Sequence, residues 1–179
     1  VNGDGVIDGN DQVYMGSTLP EISGGVVNEL RWKNFDLNML LSYSIGRHAV
    51  NNLVSGSIGG RSVTTLLFNP DKITFWEKPG DKADYAAVGR DRWGLVDYHV
   101  EKVNYLKLKS LTVGYSLPRC WLQKMGMTEL RLFVSGENLL TWTNYSGLDP
   151  ETIDLTSGGD RNRNYPLARK YTLGITLKF

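Results

Sequence analysis

The chain has 179 residues, with 20 basic and 19 acidic side chains and a formal net charge of +1. That near-balance, without a basic stripe interleaved with aromatics, excludes a nucleic-acid surface built on bulk charge, and the single Cys120 excludes an internal disulfide or a cysteine-built metal site. Twenty glycines and nine tyrosines against few alanines favour strands and turns; no stretch reaches the roughly 18 consecutive apolar residues of a membrane helix, which leaves half-polar barrel strands open.

The chain opens on Val1 with no charged and apolar leader, so any leader is expected to lie upstream or to have been removed. The first motif is Asn2-Gly3-Asp4-Gly5-Val6-Ile7-Asp8-Gly9-Asn10-Asp11. An EF-hand-type loop takes oxygen ligands at positions 1, 3, 5, 7, 9 and 12, with glycine at 6 for the sharp turn. Asn2, Asp4, Val6 (through its carbonyl), Asp8 and Asp11 match positions 3, 5, 7, 9 and 12, with Gly5 at 6 and Ile7 at 8. Position 1 would fall before Val1, so the first ligand is missing. The spacing predicts a calcium loop within an acidic segment, 1–23; an Asx- and Gly-rich turn without metal has the same composition.

Residues 24–32 read as an irregular strand, and Lys33-Asn34 as a tight turn. In 35–46, Phe35, Leu37, Met39, Leu41, Tyr43 and Ile45 fall on one face, while Asp36, Asn38, Ser42 and Ser44 fall on the other, with Leu40 the exception. A very long connection, 47–104, follows, in which Asn69-Pro70 predicts the start of a short helix running to about Glu77. Its aromatics Trp76, Tyr85, Trp93 and Tyr98 could stack on sugar faces or form the loop's own small core. Residues 105–117 alternate again, with Leu111, Val113, Tyr115 and Leu117 in phase. Leu106 and Leu108 sit on the opposite parity, which a β-bulge near Lys109 or a loop-covered strand end explains. Pro118 ends that strand, and 119–124 can form a single helical turn. Residues 129–141 make a fourth strand whose pattern fails at Gly136-Glu137-Asn138. After a long connection, 142–169, the last strand places Tyr171, Leu173, Ile175, Leu177 and Phe179 on one face and Lys170, Thr172, Gly174, Thr176 and Lys178 on the other.

Short connections (33–34, 118–128) thus alternate with long ones (47–104, 142–169). Compact soluble domains rarely hold loops beyond about 15 residues. Outer-membrane barrels pair short periplasmic turns with long external loops, which predicts an all-β antiparallel meander with the C-terminus periplasmic and the acidic segment outside. Trp32, Tyr43, Tyr115, Trp142, Tyr171 and Phe179 lie near strand ends, where rings favour a membrane boundary. The alternative is a soluble β-sandwich, read as a calcium-dependent carbohydrate-binding module.

Catalysis finds little support. His48 and His99 are the two histidines, no nucleophile elbow is present, and Gly158-Gly159 lacks the lysine of a phosphate loop. Asp149 with Glu151, or Asp81 with Asp84, read as solvated loop acids rather than glycosidase carboxylates. Arg161, Arg163 and Arg169 form a basic cluster, either solvated or facing anionic lipopolysaccharide or polar substrate.

The acidic Asn2–Asp8 segment, the strand Tyr105-Leu-Lys-Leu-Lys-Ser-Leu-Thr-Val-Gly-Tyr-Ser-Leu-Pro118, the stretch from Leu130 to Pro150 with Ser-Gly-Glu-Asn-Leu-Leu-Thr-Trp-Thr-Asn-Tyr-Ser-Gly-Leu-Asp-Pro, and the ending from Tyr165 to Phe179 together resemble the C-terminal portion of SusC/RagA-type TonB-dependent transporters. The resemblance covers nearly the whole chain in order; 47–104 carries the least of it. It implies a C-terminal fragment of a 22-stranded transmembrane barrel in the outer membrane, with 24–179 supplying about five strands and their loops. It further implies TonB-energised import of glycan or peptide fragments and a SusD-type surface lipoprotein as lid. No plug domain or TonB box is present, so coupling to TonB is implied by the resemblance alone. The terminal Phe179 resembles the signal read by barrel-insertion machinery.

Overall fold

The computed structural model describes residues 3–5, 9–52, 74–83, 97–123, 126–160 and 165–179. Five strands lie in one sheet in sequence order: β1 (Ile22–Trp32), β2 (Phe35–Val50), β3 (Val100–Ser116), β4 (Glu129–Thr143) and β5 (Lys170–Lys178). The meander is antiparallel throughout, and β1 and β5 form its edges. Since all five strands share one sheet, there is no facing sheet among the described residues to make the sandwich that the alternation also allowed.

Each hairpin follows from local chemistry. β1 pairs with β2 without a register break from Ile22↔Ile45 to Trp32↔Phe35. The two-residue turn between them places Lys33 at a φ of 54°, the left-handed value a tight hairpin needs at its first turn position. Pro118 stops β3 because it lacks an amide hydrogen for the ladder; its carbonyl instead accepts the Trp121 amide at 3.0 Å, opening the one-turn helix α1 (Arg119–Leu122). β4 then pairs with β5 from Glu129↔Lys178 to Glu137↔Lys170.

A register shift does lie near Lys109, but its extra residue is on β4, so β3 itself keeps strict alternation and Leu106 and Leu108 stay on the face opposite Leu111 and Val113. Pairing with β4 jumps from Leu108↔Leu140 to Ser110↔Glu137, so Lys109 faces both Asn138 and Leu139. Asn138 absorbs the extra residue with a φ of 53°. Beyond the shift, Leu106↔Trp142 and Leu108↔Leu140 form an apolar cross-strand patch. The helix expected from Asn69-Pro70 begins outside the described residues, and the described stretch 74–77 is not helical; Phe75 lies in an isolated bridge.

The chain divides into two compact units. One comprises Val1–Pro20, Arg47–Lys102 and Glu151–Asn164. Its described interior is polar: Asn51, His99 and Asp160 are buried beside Ala49 and Ile153. The Asn51 amide donates to the His99 carbonyl at 2.7 Å, and the Asn51 side chain donates to Glu101 at 2.8 Å. The Asn52 amide donates to the Asp160 carboxylate at 2.6 Å, and Val50 exchanges backbone hydrogen bonds with Gly158 and Asp160. These bonds satisfy backbone groups that a loop without a ladder would leave open.

The other unit comprises Glu21–Gly46, Val103–Pro150 and Tyr165–Phe179, which is most of the sheet. Its buried apolar interior is small, with Val103, Leu108, Leu122 and Tyr145 as its hydrophobic members. Most of its large apolar side chains are instead exposed.

Candidate functional site

Cross-strand partners share a face, so the register assigns the faces of the sheet. Ile22, Gly24, Val26, Asn28, Leu30 and Trp32 of β1 lie opposite Ile45, Tyr43, Leu41, Met39, Leu37 and Phe35 of β2. Leu111, Val113 and Tyr115 of β3 lie opposite Gly136, Val134 and Leu132 of β4, which in turn lie opposite Tyr171, Leu173 and Ile175 of β5. The rings of Phe35 and Tyr115, 4.7 Å apart, join the two hairpins on this side. The result is one apolar face across all five strands. It is open to the surroundings: Leu173 is 77% exposed and Ile175 62%. An exposed apolar area of that extent marks an interaction surface rather than ordinary scatter.

The height of this face decides what it suits. From Phe35 to Ile45 the backbone of β2 advances about 33 Å at ~3.3 Å per residue. At a tilt of about 40° that is about 25 Å along the normal, the height of the apolar band on transmembrane barrels. Aromatic residues mark both limits, with Trp32, Phe35 and Tyr115 near the short turns and Tyr43 and Tyr171 towards the other end.

The opposite face is polar and knitted across strands. Arg131 of β4 donates to Asp36 of β2 through Nε at 2.9 Å and Nη2 at 2.5 Å. The pair reaches over Gly114 of the intervening β3; a β-carbon there would press on both Asp36 and Arg131. The Arg131 guanidinium also lies 5.2 Å from the centre of the Phe133 ring. Phe133 in turn covers Gly174 of β5, its cross-strand partner, where a β-carbon would collide with the ring. A chain of contacts, Asp36–Arg131–Phe133–Gly174, therefore ties β2, β4 and β5 across a polar surface, and two glycines make the room. Glu129–Lys178 and Glu137–Lys170 add ion pairs on the same face.

At the far end of this unit, Lys107 is 2% exposed yet charged, and its Nζ contacts both Asp149 oxygens at 3.1 and 3.3 Å. Asp149 also accepts the Leu167 amide at 3.2 Å. A buried charge is tolerated only when paired and hydrogen-bonded, so this cluster pins the 144–169 connection to β3. Asp149 is therefore a buried, paired acid rather than the solvated loop acid expected from the sequence.

Of the residues expected to hold calcium, Asp4 is exposed between Gly3 and Gly5, and Asp11 is half-buried at the end of a 3-10 turn, Gly9–Asp11. Gly5 has a φ of 80°, the sharp turn that position 6 demands. Asn2, Val6 and Asp8 lie outside the described residues, and among the described residues no three acidic, histidine or cysteine side chains cluster to hold a metal. Arg161, Arg163, Tyr85, Trp93 and Asp84 also lie outside them. Arg169 is exposed, Trp76 lies on the surface, and Asp81 accepts the Lys78 amide at 3.0 Å as a turn acid. His99 is buried, His48 packs against Gly16, and Cys120 is an exposed free thiol. No helix among the described residues is long and apolar enough to cross a membrane, a statement about helices only.

No family model matches the chain. Alignments that span nearly all of this chain do find relatives. TonB-dependent receptor P3 of Formosa agariphila is 31% identical over 187 aligned positions, covering 100% of this chain and 18% of that protein. TonB-dependent receptor SusC of Bacteroides thetaiotaomicron is 27% identical over 99% of the chain and 17% of its own length. The solved RagAB peptide transporter superposes with a TM-score of 0.77 at 27% identity, covering 92% of this chain and 18% of that one. The chain belongs to the SusC/RagA-type TonB-dependent receptors. It spans about a fifth of the length of these relatives. An open five-stranded meander is what such a share of a larger TonB-dependent receptor barrel provides.

Proposed function

We propose that this segment forms part of the wall of an outer-membrane receptor that imports nutrients, with the apolar face in lipid and the polar face lining the lumen. The observation that carries this reading is the continuous exposed apolar face on a single sheet whose edge strands, β1 and β5, have no further strand beside them among the described residues. In water alone that surface would invite aggregation; in a bilayer it is solvated, and the edges pair with neighbouring strands of a closed barrel. The short turns at 33–34 and 117–128 are assigned to the periplasm and the long connections to the exterior, following the loop asymmetry of such barrels.

Import is energised by TonB acting on a plug, and a SusD-type surface lipoprotein covers the outer mouth. Both proposals are supported by kinship with SusC and with the RagAB transporter. The cargo class is glycan or peptide fragments. Deleting the receptor gene and following uptake of labelled oligosaccharide and peptide mixtures tests this: loss of one class supports the reading and names the cargo, while unchanged uptake of both refutes it. Calcium is proposed for the acidic loop, supported by the ligand spacing and by Gly5 at the sharp turn. Calorimetric titration of the full-length receptor should show calcium binding weakened at least tenfold in the Asp4→Ala/Asp11→Ala variant, and an unaltered isotherm rejects it.

A further inference from the structure

The two short turns meet at one end of the sheet. The Ser116 amide donates to the Asn34 carbonyl at 2.8 Å, which sets the 33–34 turn beside the start of the 117–128 turn. The Thr128 amide and hydroxyl donate to the carbonyls of Lys178 and Phe179, bringing the end of β5 to the same rim. Two indoles stand out there, Trp32 at 67% exposed and Trp121 at 62%. Neither turn holds an Asp or Glu, from Lys33 to Asn34 or from Leu117 to Thr128. Of the acids on the strand ends beside these turns, Asp36 pairs with Arg131 and Glu129 with Lys178. Lys33, whose Nζ lies 5.0 Å from the Trp32 ring centre, and the exposed Arg119 therefore present positive charge that no acid of either turn offsets.

Indole rings settle at the headgroup level of a bilayer, and lysine and arginine beside them attract anionic headgroups. We propose that this rim, carried by Trp32, Lys33, Arg119 and Trp121, binds anionic phospholipid of the leaflet that borders the short turns. The proposal rests on the reading that the strands cross a membrane. The rings set the depth, the two cations engage the phosphates, and the receptor gains a charge-selective annulus at one leaflet only.

The test uses the full-length receptor in detergent, titrated with dioleoyl phosphatidylglycerol or dioleoyl phosphatidylcholine and read by native mass spectrometry. Phosphatidylglycerol is expected to be retained in preference to phosphatidylcholine. Each charge removed, Lys33→Gln or Arg119→Gln, should weaken its retention about fivefold, and the charge-keeping Lys33→Arg/Arg119→Lys variant should behave as wild type. Equal retention of the two lipids, or a Lys33→Gln/Arg119→Gln double variant that keeps the preference, overturns the proposal; so does displacement of the lipid by inorganic phosphate, which marks a soluble-anion site instead. A receptor that remains folded and soluble without detergent sinks the membrane reading itself, whereas a detergent-bound barrel indifferent to headgroup charge sinks the rim alone.

Discussion

Placing a charge on Leu173 separates a lipid-facing sheet from a water-facing one. Leu173 is 77% exposed and opposes Val134 on the apolar face; its neighbour Thr172 is also exposed but opposes Ser135 on the polar face. If the apolar face is in lipid, Leu173→Arg drives a guanidinium into the hydrocarbon region. On barrels that costs about 2–4 kcal/mol near the bilayer midplane and less towards the interfaces. Leu173 lies one strand step below Tyr171, so the cost falls within that range rather than at its top. Thr172→Arg points into the lumen and should change stability by no more than about 0.5 kcal/mol. The assay is denaturant unfolding of the full-length receptor from phospholipid bilayers, each variant against wild type. Equal effects for the two substitutions, or a larger effect at Thr172, refute the assignment of faces, because arginine on a water-exposed leucine should be harmless.

Three further outcomes follow from contacts on the sheet. A double-mutant cycle on Asp36→Ala and Arg131→Ala should return a coupling of about 1 kcal/mol, as a partly shielded two-point ion pair allows, and should shrink at high salt; a coupling of zero removes the bridge over Gly114. Gly174→Val should displace the Phe133 ring and lower barrel stability by about 1–3 kcal/mol, a loss partly restored by Phe133→Leu, and an undisturbed melt contradicts the contact. Lys107→Met leaves Asp149 buried without its cation, worth about 3–5 kcal/mol locally. Limited proteolysis should then cut the 144–169 connection faster, while Lys107→Met with Asp149→Leu should recover much of the protection.

The strands were legible because a half-buried strand writes its two environments alternately into the sequence. Phe35 to Ile45 and Tyr171 to Phe179 carry that record, and the observed β2 and β5 lie on them. The position of the bulge near Lys109 was legible, but not its strand: the extra residue is on β4, where the pattern fails at Gly136-Glu137-Asn138. β2 and β3 run further than their alternation, to Val50 and from Val100, because their ends are held by loop bonds such as Asn51 to His99 that leave no periodic mark. Contacts between distant residues were also unreadable. Asp36 and Arg131 lie 95 residues apart, and each looks like an ordinary polar-face residue until β3 brings Gly114 between them. Lys107, set between two leucines, reads as a solvated lysine; only the fold delivers Asp149 to it. The calcium spacing was legible as a motif, but three of its five proposed ligands lie outside the described residues.

The central claim is that one face of this sheet meets lipid and the other meets water. A nitroxide scan of β5, one position at a time from Lys170 to Lys178 in the membrane-reconstituted full-length receptor with Cys120 replaced by Ser, measures it directly. Oxygen accessibility should peak at 171, 173, 175 and 177, with accessibility to a polar nickel reagent peaking at 170, 172, 174, 176 and 178, the two profiles out of phase. Profiles that rise and fall together, or polar access at every position, would contradict the account.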